Sequence, residues 1–87
     1  MLIYGYINSP SLNIVGGAAQ LAVPCGVAFD NAGSAVNDST NVYVAGNNLS
    51  TAVLLNEAVR KGISDYVNST YGLHTSSLDV ILVSGAV

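Results

Sequence analysis

The sequence predicts an α+β fold: a small sheet of four to six strands, mainly antiparallel, with one long helix on one face and a buried last strand. Three observations carry this. From residue 50 to 71, Ala52, Leu55, Ala58, Val59, Gly62, Ile63, Tyr66 and Val67 recur three and four apart, which makes one apolar stripe on a helix. Elsewhere, short β-branched and aromatic runs are bounded by turn formers, the pattern of strands. Finally, a strand over 41–45, the helix over 50–71 and a strand over 78–83 have the lengths of a β-α-β unit, which sets two strands parallel.

Taken in order, residues 2–7 (LIYGYI) read as a strand that stops at Asn8-Ser9-Pro10, and residues 12–15 as a short strand ending at Gly16-Gly17. Residues 18–29 are nearly all apolar. Pro24 divides them into strands over 20–23 and 26–29 and marks an edge or a bulge, because proline has no N–H for a ladder. Residues 30–40 form a polar loop. In the strand 41–45, Val42 and Val44 share one face and Tyr43 takes the other.

Ser50 is placed to cap the helix N-terminus and Gly72 to end it in a left-handed conformation. Glu57, Arg60, Lys61, Ser64, Asp65 and Asn68 fall on its polar face, with Glu57 and Lys61 at pairing distance, worth about 0.2–0.5 kcal/mol. Gly62 weakens the helix by about 1 kcal/mol relative to alanine, so close approach to a neighbour is expected there. The near-continuous apolar run 78–83 implies burial on both faces of the last strand.

The 87 residues make a single small domain, 1–87. Hydrophobic residues are 51% of the chain and charged residues 8%, against roughly 25% charged in ordinary soluble domains. One arginine and one lysine give too little positive charge for phosphate-backbone binding, which argues against nucleic acid and an anionic membrane surface. Cys25 alone can form neither an intrachain disulfide nor a thiolate zinc cluster. Residues 1–10 lack the basic region of a secretory signal, so synthesis in the cytoplasm without a signal peptide is expected. The apolar stretch 14–29 is shorter than the ~18–20 residues of a bilayer span and is broken by Pro24 and glycines.

No constellation points to catalysis, a cofactor or a metal. His74 has Ser76, Ser77 and Asp79 nearby in sequence and Cys25 elsewhere, but such residues co-occur freely, and a loop histidine is the simpler reading. Glu57 and Asp65 sit on one helix face about 12 Å apart, too far to share a proton or an ion. Asp30-Asn31-Ala32-Gly33 lacks the acidic run and closing Glu of a calcium loop. No lysine follows the glycines as a phosphate loop requires, and three sequons, at Asn37, Asn48 and Asn68, are ordinary in a chain so rich in Asn, Ser and Thr.

A chain so poor in charge, with one helix for a two-faced sheet, leaves one sheet face for a neighbour to cover. The residues expected at such interfaces are Leu2, Tyr4, Tyr6, Val23, Phe29, Tyr43, Ile81, Val83 and Val87. In general make-up (small, rich in Ala, Gly, Val, Ser and Asn, almost charge-free, strand-dominated with one helix) the chain resembles minor structural proteins of bacteriophage virions. Capsid decoration or cement proteins are the closest type, followed by small tail and head–tail proteins. That resemblance implies a non-enzymatic, cofactor-free subunit resident in a particle, its partners copies of itself or other lattice proteins. Two other readings stand beside it: a membrane-associated protein acting through residues 14–29, and a small oligomeric enzyme or ligand-binding module using His74.

Overall fold

The computed structural model describes residues 2–29 and 38–83. Its elements follow in the order β1 (Ile3–Ile7), β2 (Ser11–Val15), β3 (Ala18–Ala28), β4 (Asp38–Ala45), α1 (Ala52–Tyr71) and β5 (Val80–Val83), with single 3-10 turns at Gly46–Leu49 and Ser77–Asp79. All five strands join one mostly antiparallel sheet, and α1 lies on one face of it, the expected α+β arrangement.

The sheet is built around β3, which runs unbroken for 11 residues where the sequence suggested two strands. One flank carries β4 and the other carries β1 and β2 end to end. Ile7 pairs with Cys25 and Ser11 with Ala22, so residues 8–10 on one side face only 23–24 on the other. This extra residue is a β-bulge. The Pro24 carbonyl accepts from Asn8 N–H at 2.9 Å, so the backbone polar groups of Pro24 face the bulge. Its missing N–H therefore falls where the ladder is already interrupted, which is how a central strand tolerates the proline.

The hairpin closes through Gly16-Gly17, with φ of 59° and 81° at the two turn residues. Positive φ at both positions is the type I′ geometry that matches strand twist, and glycine adopts it without strain. The sheet order is β4-β3-β1-β5 with β2 continuing β1. β5 pairs with β1 in parallel, so β4 and β5 run the same way, as the β-α-β lengths required, but two strands separate them.

The core lies between the sheet and α1. Ile3, Val23, Cys25, Val27, Val42, Val44 and Val80 from the strands meet Val59, Ile63 and Val67 of the helix. Val42 and Val44 point inward and Tyr43 outward, the expected alternation.

Several local expectations are corrected. The helix N-cap is Thr51, whose hydroxyl accepts from Leu54 N–H at 3.2 Å; Ser50 instead donates to the Asn47 carbonyl, closing the preceding 3-10 turn. Gly72 does end the helix in the left-handed region. Glu57 pairs with Arg60 and Lys61 with Asp65, rather than with each other. Ser64 is buried, not on the solvated face. Residues 38–40 belong to β4, and residues 30–37 of the expected loop lie outside the described residues. β5 begins at Val80, after a 3-10 turn, and is not buried on both faces: Val80 is enclosed while Ile81 is exposed.

Candidate functional site

Every charged side chain among the described residues is engaged within the chain. Glu57–Arg60 at 3.0 Å and Lys61–Asp65 at 2.9 Å are one-turn helix pairs. Asp79 closes a capping box with Ser76, accepting from its amide at 2.8 Å, and this bond holds the Asp79 carboxyl below its usual range. Asp38 accepts from Tyr66 Oη at 2.6 Å, Tyr71 Oη at 2.9 Å and Ser39 N at 2.7 Å. The Tyr66 bond, then the Ser39 and Tyr71 bonds, lower the Asp38 pKa, and the same carboxylate raises both phenols. This cluster ties the start of β4 to the end of α1, and Phe29 packs edge-on against Tyr71 with ring centroids 5.2 Å apart.

Beside these exposed but internally paired charges, three outward-facing features have no such partner among the described residues. One sheet face lies under α1. The other, the open face, carries no helix among the described residues; strand register places Tyr4, Tyr6, Tyr43, Ile81 and Val83 on it, with Tyr4 between Ala28 and Ile81, Tyr6 between Gly26 and Val83, and both Gly26 and Ala28 buried. Tyr43 is 59% exposed and Ile81 40%, while Tyr4, Tyr6 and Val83 are half-buried among their neighbours. The Tyr6 hydroxyl is buried without a hydrogen-bond partner among the described residues.

The second outward feature is the hairpin arm. All five residues of β2 are exposed, as are Gly16 to Ala19 at its tip, and Leu12, Ile14 and Val15 stand 65%, 69% and 57% exposed. A two-stranded ribbon with neither face covered is marginal in water on its own. The arm was not among the expected interface residues. Its sequence signal was present: Gly16-Gly17 between two apolar runs is a two-residue hairpin turn, and one helix cannot cover so long a ribbon.

The third feature is a groove of about 610 Å³ beside β4, lined by residues 40–43 and by Leu54, Ala58 and Lys61 of α1. Residues of both strand faces line it, so it runs along the outer edge of β4.

Of the residues expected at interfaces, Leu2, Tyr43 and Ile81 are exposed and Tyr4, Tyr6 and Val83 half-buried on the open face. Val23 is corrected: it is wholly enclosed beneath α1 and offers no surface to a neighbour. Phe29 packs against the chain's own core and Tyr71. Val87 lies outside the described residues.

The residues considered for chemistry are not assembled into a site. His74 is exposed on the connection after α1, while Cys25 is enclosed, its thiol donating to the Val23 carbonyl at 3.3 Å and pushed up to about 11 by burial. Asp79 is committed to its capping box. Among the described residues no group of three His, Cys, Asp or Glu is placed to hold a metal, and no helix is long and apolar enough to cross a membrane. The apolar stretch 14–29 is the end of β2, the hairpin turn and the whole of β3. No protein-family model matches the chain, and no curated protein or solved structure gives a significant match.

Proposed function

We propose that this chain is a non-enzymatic structural subunit that binds neighbouring subunits, copies of itself or other structural proteins, in a larger assembly. One observation carries the reading. Every described charge has an intramolecular partner, while among the described residues nothing covers the second sheet face, the outer edge of β4 or the exposed apolar arm. Binding partners are usually steered by charge and held by buried apolar surface. Here the second means is present in quantity and the first is spent on the fold.

The make-up of the chain makes a bacteriophage particle, as a capsid cement protein or a minor head or tail component, the setting this reading favours. Adhesion within a lattice is then the activity, and no cofactor enters it. The test is the mass of the purified chain at rising concentration, by light scattering or native mass spectrometry. Species well above the 8.8 kDa protomer are expected. A protomer that stays single at millimolar concentration overturns the proposal.

A further inference from the structure

We infer that the β2 arm of one copy adds as an extra antiparallel strand to the outer edge of β4 in the next copy, so that subunits join head to tail. The inference rests on the structural-subunit reading and names the contact within it.

Register decides which backbone groups are available. The polar groups of Pro24 face β1 and β2, and its partner across β3–β4 is Asn41. In an antiparallel pair whose one member faces away, the other faces away too, so the N–H and C=O of Asn41 point to the outer edge of β4. Tyr43, two residues on, repeats that orientation, and both residues are exposed. On the arm, Ala22, Gln20 and Ala18 alternate in step with Pro24 and so bond to Ser11, Asn13 and Val15. That leaves the N–H and C=O of Leu12 and Ile14 directed outward along the free side of the ribbon.

The two edges are complementary. An antiparallel pairing that sets Leu12 against Tyr43 and Ile14 against Asn41 joins outward-facing groups to outward-facing groups. It also puts both apolar arm side chains on the open face beside the exposed Tyr43 ring, an aromatic–aliphatic cross-strand contact. Asn13 then turns to the other side, into the groove beside Lys61. Among the described residues, the groove leaves this edge unobstructed.

Charge is consistent with such a guest. Residues 1–29 contain no Asp, Glu, Lys or Arg, and the helix flank of the groove carries its charges as neutral pairs, Glu57–Arg60 and Lys61–Asp65. A charge-free strand therefore meets a rim whose charges are already paired and strands no ion. Addition of a strand to an exposed edge is an established mode of recognition, with backbone bonds supplying affinity. Because arm and edge are different surfaces, the contact is heterologous and propagates into a ring or filament.

A complementation experiment tests this. All chains carry Ile81→Lys, which weakens any contact made through the open face around β5. Asn41→Pro deletes the outward N–H of the edge and leaves the arm intact; Ile14→Pro deletes that of the arm and leaves the edge intact. Circular dichroism checks that each folds, and Tyr43→Lys and Ile14→Lys, both at exposed positions, replace any proline variant that does not. The expected result by native mass spectrometry is oligomers for the Ile81→Lys parent, monomers for each variant alone, and a 1:1 dimer when the two are mixed.

Variants that associate like the parent overturn the inference and leave the subunit reading standing, as does loss of association in the edge variant alone, which marks a twofold β4–β4 contact. Two monomeric variants that fail to pair on mixing overturn it as well. Wild-type chain that is itself monomeric overturns both readings together.

Discussion

Gly62 of the helix and Val42 of β4 meet with no space between them: a Cβ on Gly62 would stand 2.5 Å from Val42 Cγ1 and 2.9 Å from Cγ2. Gly62→Ala should therefore destabilise the protein by about 1–3 kcal/mol through overpacking, although alanine favours the helix by about 1 kcal/mol. Adding Val42→Ala removes both clashing methyls, so the double variant should lose less than the two single losses summed. Urea titrations of the four proteins measure this coupling. A stabilised Gly62→Ala protein would show that the helix does not approach β4 this closely.

The Asp38 cluster predicts how stability varies with pH. The Asp38 carboxyl is held below its ordinary value of 3.8 by Tyr66 first, so its contribution is present above that value and disappears as acid takes the pH through the lower, folded one. Tyr66 and Tyr71 are raised above their ordinary 10.0, chiefly by Asp38, so their contribution is present below pH 10 and disappears as alkali carries the pH through the raised values. Asp38→Asn should shrink both limbs while leaving the acid limb that Asp79 supplies. Urea midpoints across pH 2–11 read this directly, and an unchanged alkaline limb in Asp38→Asn would rule out the phenol bonds as its cause.

Asn68 holds the chain that follows the helix. Its amide donates to the Thr75 carbonyl and its carbonyl accepts from Thr75 N and Oγ1, all three at 2.8 Å, while Ser64 donates to the same Thr75 carbonyl at 3.2 Å. Asn68→Ala leaves the part-buried Thr75 amide without its acceptor, while the Thr75 hydroxyl keeps Ser64 Oγ at 3.3 Å, and a loss of about 1–3 kcal/mol is expected. Amide exchange at Thr75 should accelerate more than that at Val59 in the helix core. Equal acceleration at both would mean that Asn68 supports the whole fold and not this connection.

What the sequence makes legible follows the range of the interaction concerned. The α1 stripe is readable because spacing alone fixes which side chains share a face, and Val59, Ile63 and Val67 are indeed buried. The burial of Ser64 is not readable in this way, because its partner Thr75 lies eleven residues away across a turn that spacing does not reveal. Pro24 reads as a strand break until the bulge opposite it is known, since only pairing shows that its absent N–H has nothing to bond. The cap shifts from Ser50 to Thr51 because two adjacent cap formers compete, and the preceding 3-10 turn claims the first. The open face was legible by counting, one helix for a sheet with two faces. The arm left its turn signal at Gly16-Gly17 but not its exposure, because an exposed apolar strand differs from a buried one only in what lies over it.

Neighbouring residues of β5 separate folding from association. Val80 is 3% exposed beneath α1, and Ile81 is 40% exposed on the open face, paired with Tyr4. Val80→Lys places an unpaired ammonium in the core, at a cost of several kcal/mol, comparable with the whole stability of a small domain. It should not fold. Ile81→Lys lets the ammonium reach water along an edge strand, where lysine is well tolerated, and should unfold within about 0.5 kcal/mol of the parent. Its association should nevertheless weaken, because about 1.5 kcal/mol of isoleucine burial is lost from the interface, roughly tenfold in dissociation constant. Circular dichroism reads the first effect and sedimentation the second. An Ile81→Lys protein that folds and associates with undiminished affinity would remove the β5 end of the open face from the contact surface, whereas one that cannot fold would mean that this face is closed within the protomer.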